Sequence, residues 1–459
     1  SGQSNIGFVL DAADNVATLP WGGRAGEAVR LRGASSPGVQ APIMLDEIAP
    51  GHKVALSEIR QEAPVLKYGL PIGLARQDIP AGACVHVENV RSRFAPFQSD
   101  VTSAPLAQAT IQPEALMQTV SAVLQAAGAK PQAAKDAARH CTSAEEHGVS
   151  THGIRRIPAL VQRLRAGGID GQISPQIERH GGVICIDGLS GLGHHVATVA
   201  ADAVIETARE AGVAVALVRN SSHFGYAGFY ASHIARAGMV GVAVSNGQVL
   251  VGPPGARRAI FSNNPFALAT PVGERGAFEF DMATSVTSRA RIMMAAETGA
   301  TIAPGMALDS EGRPTINAAD ALAGILLPLG GEKGFGFIAA LEVLAGILPG
   351  GAYADQVVSK EAEPGRAEGT SHFLMAIAPA AFGNEQVFRD RMADLEHRVT
   401  NLPMAPGTGP ARMPGSRRTA LATERARSGI PLNNKSIEIL RQLAVEAGVP
   451  VDMTPADKT

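Results

Sequence analysis

The sequence has little cysteine, almost no net charge and no long apolar run. Its three cysteines, Cys84, Cys141 and Cys185, lie far apart without a CxxC pair, which argues against a disulfide framework or a cysteine-rich zinc site and favours a reducing cytoplasm. A formal net charge of -2 does not suit a nucleic-acid-binding polycation. Since no stretch of about 18 apolar residues and no signal-peptide pattern occurs, we expect neither a membrane span nor secretion.

Two standard nucleotide-binding fingerprints are also missing. The glycines of residues 188–193 lie between a predicted strand and a predicted helix, but their order is not GxGxxG. In addition, no acidic residue ends a second strand about 20 residues later, as the ribose contact would need. The loop of residues 328–336 lacks the Walker A spacing, which argues against phosphoryl transfer. Its four glycines and Lys333 nevertheless suit a phosphate or pyrophosphate in front of a helix.

The 459 residues predict more than one domain, because a single core seldom grows that large. Short β-type runs punctuated by glycine and proline predict a small β-rich domain over residues 1–93. A polar stretch over residues 94–108 is interpreted as a linker. Strand-like and helix-like segments then alternate over residues 109–455, which indicates an α/β domain.

The strongest chemical candidate is His223, which follows a run of β-branched and small apolar residues at 213–218. An imidazole at the exit of a strand is well placed to exchange a proton near neutral pH. The alternative is a loop histidine that only satisfies backbone groups. The segment around it therefore has to be judged together with the rest of the chain.

A second candidate is the pair His152 and Arg156, which lie four residues apart on a predicted helix that continues through Leu164 and would therefore share one face. A guanidinium beside an imidazole makes a good receptor for a carboxylate. Since no acidic residue at a matching metal-ligand spacing and no third ligand accompanies His147 and His152, we expect no metal here. The alternative for the arginine is a solvated surface charge.

Five motifs occur in order along the chain: THGIRR, SSHFG, SNNPFALATP, FDMATS and LPLGGEKGFG. Together they resemble the malate/L-lactate dehydrogenase type 2 family over about residues 105–450. The resemblance implies a non-Rossmann NAD(P)-binding fold of mixed helices and strands, hydride transfer with NAD or NADP, and commonly a homodimer with the cofactor near the subunit interface.

The resemblance also implies roles for individual residues. His223 would be the general acid/base, and His152 and Arg156 would hold the substrate carboxylate. Gly247 stands where some relatives place a hydroxyl against the substrate or nicotinamide, which implies a different substrate specificity. The implied cofactor-binding residues are Asp281, Met282, Ala283, Gly331, Glu332 and Lys333.

The amino-terminal domain resembles the SAF-type domain of altronate and galactarate dehydratases and the small subunit of sulfolactate sulfo-lyase, through short motifs that include His52 and residues 85–89. Relatives often read His-x-His-Asn where this chain has His86-Val-Glu88-Asn, which argues against direct catalysis by this domain. The resemblance implies a dehydratase or lyase large subunit as a partner, or a role in hydroxy-acid binding or assembly. The alternative is that both histidines are merely structural.

The leading interpretation is an NAD(P)-dependent dehydrogenase for a 2-hydroxy acid that is malate-, sulfolactate- or sugar-acid-like. One alternative is a reductase of cyclic imino acids such as pyrroline- or piperideine-2-carboxylate. The other is a scaffold that docks a dehydratase large subunit through the SAF-like domain.

Overall fold

The structure is a computed structural model. The residues it describes are 5–9, 11–33, 41–67, 70–91, 109–272, 276–405 and 408–455. The chain divides into two compact units, residues 1–104 and 105–459. The predicted linker, residues 94–108, lies outside the described residues.

The first unit is built from short strands. They are β1 (Ile6–Val9), β2 (Val16–Leu19), β3 (Arg30–Gly33), β4 (His52–Ala55), β5 (Pro64–Lys67), β6 (Leu70–Ala75), β7 (Cys84–Val85) and β8 (Val90–Arg91). One sheet has the order β3-β1-β2-β4-β7 and the other β5-β6-β8. Val54 and Ala55 of β4 are both fully buried because they belong to two different apolar clusters. The prediction of a small strand-rich unit is confirmed.

The second unit contains all the described helices. They are α1 (Pro113–Ala126), α2 (Pro131–Glu146), α3 (Ile157–Ala166), α4 (Gly193–Ala211), α5 (Gly228–Arg236), α6 (Arg289–Thr298), α7 (Ala318–Ala323), α8 (Glu332–Glu342), α9 (Glu385–Thr400), α10 (Ser416–Ser428) and α11 (Asn434–Ala447). Both α1 and α2 begin with proline, whose fixed φ and missing N–H suit a first helical position. Among these helices, none is long and apolar enough to cross a membrane.

The strands of the second unit form three sheets. They are β9 (Ala109–Ile111), β10 (Gln176–His180), β11 (Val183–Asp187), β12 (Val213–Ser221), β13 (Val240–Ser245), β14 (Phe266–Val272), β15 (Gly276–Met282), β16 (Ala307–Leu308), β17 (Pro314–Thr315), β18 (Ile325–Leu326), β19 (Thr370–Ile377), β20 (Ile430–Leu432) and β21 (Thr454–Pro455). The main sheet has the order β10-β11-β12-β19-β13-β14-β15, and the small sheets have the orders β17-β16-β18 and β20-β9-β21.

The main sheet does not have the topology of a doubly wound nucleotide-binding sheet. Among its described strands only β11 and β12 pair in parallel, and β19 lies antiparallel between β12 and β13. A doubly wound sheet is mostly parallel and binds its nucleotide where the strand order reverses. The prediction of a non-Rossmann fold is confirmed.

Small side chains let α4 and α5 pack closely against this sheet. Ala200, Ala201 and Ala208 of α4 are fully buried, as are Ala214 and Ala216 of β12. Alternate residues of β12 are buried through Val218, the pattern of a strand with one face in the core. This packing fixes the end of β12, where the SSHFG motif begins.

Candidate active site

The loop after β12 carries His223 two residues beyond the end of the strand, because β12 extends three residues past its predicted end. The loop is held from behind by the buried ring of His140, whose Nε2 accepts the N–H of Tyr226 at 2.9 Å. Gly225 has φ +89°, and a Cβ there would lie 2.0 Å from Cε1 of His140. No other residue fits at position 225, since both the backbone angle and the space require glycine.

Two hydrogen bonds fix His223. Its backbone N–H donates to Glu368 Oε2 at 3.0 Å, and the N–H of Gly225 donates to its Nδ1 at 3.2 Å. Burial, followed by the positive charges of Lys360 and Arg156, holds the pKa of His223 well below its usual value. Protonation would also place a hydrogen on Nδ1 against the Gly225 N–H. The resting imidazole is therefore neutral, with its hydrogen on Nε2.

The THGIRR segment differs from its prediction, because His152 and Arg156 do not share one α-helix. They belong to two short 3₁₀ turns, Ser150–His152 and Ile154–Arg156, and α3 begins only afterwards. Gly153 separates the turns with φ -95° and ψ -132°. A Cβ on Gly153 would lie 2.2 Å from Oε1 of Glu145, which accepts the N–H of Ile154 at 2.9 Å. This tertiary contact, rather than helical periodicity, orients the pair.

His152 and Arg156 nevertheless come together beside His223. The rings of His152 and His223 stack with centroids 5.8 Å apart and planes 8° apart. Burial, then the charge of Arg156, lowers the pKa of His152 to about 3. Arg156 donates from Nε to the carbonyl of Thr151 at 3.0 Å, and its two Nη groups make no hydrogen bond to any described residue. The forked end of the guanidinium is thus available to a ligand.

One cavity of about 240 Å³ collects most of the predicted site residues. Those that line it are His152, Arg156, His223, Gly247, Asp281, Met282 and Ala283. Gly247 lies close to Ser262, since a Cβ there would lie 3.1 Å from the serine Oγ, a contact that only a shift of that side chain would relieve. The cavity can therefore hold a small acid between imidazole, guanidinium and the end of β15.

The glycine-rich loop, which supplies Gly331, Glu332 and Lys333, does not line this cavity. Gly331 precedes α8, and Glu332 and Lys333 are exposed in its first turn. The loop is tied to the segment after β15, because Leu329 donates its N–H to the Thr284 carbonyl at 2.8 Å. The two predicted cofactor segments are therefore neighbours, although only the first reaches the cavity.

Asp281 has a partner that the sequence did not indicate. Arg418 of α10 donates from Nη1 to Asp281 Oδ2 at 2.9 Å and to Glu279 Oε1 at 3.1 Å. Burial raises the pKa of Asp281, and the guanidinium acts in the opposite direction. Arg418 also lines the cavity, so this wall is held by an ion pair.

Three further charged residues, Arg163, Lys360 and Glu368, support the site. Glu368 is buried, accepts from Arg163 Nη1 at 2.7 Å and lies 3.8 Å from Lys360 Nζ. Although burial opposes it, the charges of Lys360 and Arg163 hold the pKa of Glu368 below its usual value. Arg163 and Glu368 are 205 residues apart in sequence, so no local pattern could have indicated their pairing.

One group of buried side chains, His140, Cys141 and His194, lies close enough together to suggest a metal site. Nε2 of His140 already accepts the N–H of Tyr226. Metal binding through Nδ1 would leave a hydrogen on Nε2, facing that N–H. The group therefore suits a packed, neutral histidine pair better than a metal centre.

Family models match both parts of the chain. The malate/L-lactate dehydrogenase model matches residues 111–441. The chain belongs to the malate/L-lactate dehydrogenase family. The altronate/galactarate dehydratase SAF domain model matches residues 6–93, so both predicted resemblances are confirmed. The second unit of the chain is therefore the dehydrogenase part of this family member.

Individual relatives agree with the family. The chain is 32% identical over 345 residues to L-sulfolactate dehydrogenase of Methanothermobacter thermautotrophicus, covering 75% of this chain and 98% of the relative. It is 30% identical over 351 residues to Delta(1)-pyrroline-2-carboxylate/Delta(1)-piperideine-2-carboxylate reductase of Pseudomonas putida, covering 76% and 99%. The solved malate dehydrogenase of Entamoeba histolytica is similar at a TM-score of 0.71 and 25% identity, covering 75% and 99%.

Proposed function

We propose that this protein transfers a hydride between C2 of a 2-hydroxy or 2-oxo acid and NAD or NADP. The observation that carries the proposal is the single cavity at which His223, His152 and the free fork of Arg156 meet. His223 exchanges a proton with the substrate oxygen, and Arg156 receives the substrate carboxylate as a bidentate pair. The substrate is malate-, sulfolactate- or sugar-acid-like.

The cavity residues fit a nicotinamide. Oε1 of Gln248 is buried without a hydrogen-bond partner among the described residues and belongs to the cavity wall. A carboxamide N–H is the kind of donor that such an acceptor requires. Gly247 next to it adds no side chain, and Asp281, Met282 and Ala283 form the adjoining wall. When bound, the nicotinamide supplies or accepts the hydride. Gly331, Glu332 and Lys333 remain proposed cofactor contacts.

The charges of the cavity assign each residue a part in the reaction. In the oxidation direction, neutral His223 takes the hydroxyl proton, which requires the ring to release the Gly225 N–H. A carboxylate held at Arg156 adds negative charge close to the ring and offsets the cations that disfavour imidazolium. The charged substrate thereby brings the pKa of His223 back towards the range useful for catalysis.

The test is the oxidation of NADH and NADPH with separate oxo and imino substrates. We expect turnover with at least one of oxaloacetate, pyruvate, sulfopyruvate or a 2-keto sugar acid. Turnover of a cyclic imino acid alone would contradict the oxo-acid assignment. If no substrate is turned over with either cofactor, the result would contradict the proposed enzymatic activity and favour the scaffold alternative.

Reduction of a cyclic imino acid is the second candidate. It is favoured by the relative from Pseudomonas syringae pv. tomato, a Delta(1)-pyrroline-2-carboxylate/Delta(1)-piperideine-2-carboxylate reductase, which is 33% identical over 322 residues and covered to 91%. The carboxylate receptor at Arg156 would serve both substrate classes. The same panel of substrates separates them.

We also propose a cytoplasmic homodimer whose domains are residues 1–93 and 109–455, with the SAF-like domain docking a dehydratase or lyase large subunit. The free thiols of the chain support the compartment. Phe382, Val387 and Leu395 on and before α9 are 70%, 50% and 45% exposed, which supports a second copy as their cover. Sedimentation equilibrium tests the dimer, and a monomer at micromolar concentration would contradict it.

A further inference from the structure

Lys360 lies at the cavity without a role in the reaction as described so far. Its segment runs beside Glu368, since Val358 donates its N–H to the Glu368 carbonyl at 3.0 Å. Its side chain is only 15% exposed. It lines the main cavity and also a second cavity of about 20 Å³, together with Arg156 and His223 in both. Lys360 therefore points its functional group at the reacting centre rather than at bulk solvent.

The ammonium of Lys360 has no hydrogen-bond acceptor among the described residues. The nearest carboxylate oxygen, Glu368 Oε1, is 3.8 Å away, beyond hydrogen-bond distance. The other oxygen of Glu368 is already committed to Arg163 and to the backbone of His223. An ammonium that faces a cavity and makes only this long ion pair can gain direct hydrogen bonds from an anionic ligand. The three N–H donors of the Lys360 ammonium are therefore available to an anionic ligand.

This end of the cavity carries more positive charge than a single carboxylate can neutralise. Arg156 and Lys360 are both cations, and both depress the pKa of His223. Of the acidic residues on the wall, Asp281 is paired with Arg418, and Glu361 is exposed. A substrate with a single carboxylate at Arg156 would leave Lys360 with only its long ion pair to Glu368, 3.8 Å away. A substrate with two acidic groups would satisfy both cations.

We propose that Lys360 determines substrate specificity by binding a second acidic group, a carboxylate or sulfonate, on a 2-hydroxy acid whose first carboxylate is held by Arg156. This inference rests on the proposed function and deepens it. It selects dianionic hydroxy acids over lactate-like acids and over sugar acids, whose distal groups are neutral hydroxyls. The same geometry predicts that neutral side groups bind weakly, because they leave the ammonium desolvated.

The first experiment compares kcat/KM for matched dianionic and monoanionic acids: malate and sulfolactate against lactate and glycerate. In Lys360→Met, we expect the ratio of dianion to monoanion kcat/KM to fall about 10- to 100-fold, mainly through KM. Lys360→Arg should keep most of the ratio because it keeps the charge. Lys135→Met, the same change on the exposed side of α2, is the matched control and should leave the ratio unchanged.

An equal loss for both substrate classes in Lys360→Met would overturn the inference and make Lys360 a positioning residue for Glu368. An unchanged ratio would also overturn it. The malate and sulfolactate arms show whether the second group is a carboxylate or a sulfonate.

The second experiment does not depend on turnover. Calorimetry measures binding of malonate and of acetate, two unreactive probes, to the wild-type chain and Lys360→Met. We expect malonate to bind at least tenfold more weakly to the variant and acetate to change little. Retained malonate affinity overturns the inference even if the enzyme is active. If no hydroxy acid is turned over but malonate binding still depends on Lys360, the proposed function fails and the second anion contact stands.

Discussion

Each unit of the molecule contains two histidine rings in contact, yet the two pairs lie in different surroundings. In the SAF-like unit the rings of His52 and His86 are 4.7 Å apart with planes at 37°, and His86 is exposed. In the dehydrogenase unit the rings of His152 and His223 are 5.8 Å apart and line a cavity with Arg156. Burial and neighbouring cations lower the pKa of both His152 and His223.

The difference teaches that two adjacent imidazoles do not make a catalytic site by themselves. The surroundings in the dehydrogenase unit keep the rings neutral and place the guanidinium of Arg156 beside them. Glu368 holds the backbone of His223, and the Gly225 N–H holds its ring. In the proposed mechanism, a carboxylate bound in this arrangement would change the proton affinity of His223.

The largest expected effect comes from replacing the base itself. We expect His223→Gln to lower kcat by about 10² to 10⁴-fold, because the reaction loses its proton acceptor. Binding of NADH, followed by fluorescence titration, should change little. The matched control is His86→Gln in the other pair. Equal loss of cofactor affinity and turnover in His223→Gln would show that the histidine is structural.

The second prediction concerns acid stability. Burial lowers the pKa of His152 to about 3, that of His194 to about 4 and that of His372 to about 3. Each folded pKa is below the unfolded value near 6.5, so the unfolded chain binds more protons in acid. The free energy of unfolding is therefore highest above about pH 6.5. It decreases as the pH falls, by up to about 1.4 kcal/mol per pH unit for each histidine.

The two units can be followed separately in that measurement. Trp21 is the only tryptophan of the chain and belongs to the first unit, whereas the described helices belong to the second. Urea unfolding at about pH 7 and about pH 5, read by helical circular dichroism and by Trp21 fluorescence, should show the larger loss in the helical signal. A helical transition that does not shift with pH would contradict neutral burial of these histidines.

A smaller effect is expected at the carboxylate receptor. We expect Arg156→Lys to raise KM for 2-hydroxy acids about 10- to 100-fold, because an ammonium cannot reproduce the two parallel hydrogen bonds of the fork. Arg155→Lys is the matched control, since Arg155 is the exposed neighbour. Steady-state kinetics with varied acid and saturating cofactor provide the measurement. A normal KM in Arg156→Lys would place the carboxylate elsewhere.

The smallest effect is expected in the amino-terminal pair. Because His86 is exposed and lies in the other compact unit, His86→Gln should leave kcat/KM of the dehydrogenase within about twofold, as surface changes usually do. A loss of tenfold or more would show that the SAF-like unit takes part in the dehydrogenase reaction, and the contrast between the pairs would have to be abandoned.

The sequence predicted those parts of the site that depend on local order. The apolar run of β12 and the histidine after it are contiguous, so His223 could be placed at a strand end. The predicted helix through His152 was wrong, because Gly153 turns to accommodate Glu145. That contact depends on tertiary packing, which periodicity does not report.

Other features of the fold and the site could not be predicted from any local sequence pattern. The strand β19 enters the middle of the main sheet from far along the chain and pairs with β12 and β13, so its neighbours cannot be read from its own residues. Lys360 and Glu368 likewise meet Arg156 and His223 only after the chain has folded. The candidate base and Arg156 were therefore predictable, whereas the contributions of Lys360 and Glu368 were not.

Two glycines of the cavity wall, Gly225 and Gly247, differ in how readily they could be replaced in an engineered enzyme. Position 225 is closed, since any side chain would collide with His140 and would also strain a backbone at φ +89°. Position 247 has no left-handed backbone, and the nearest atom to an added Cβ would be the Ser262 hydroxyl oxygen at 3.1 Å, which would have to shift. A library that diversifies residues 247 and 262 together would sample new substrates while leaving the loop that carries the base intact.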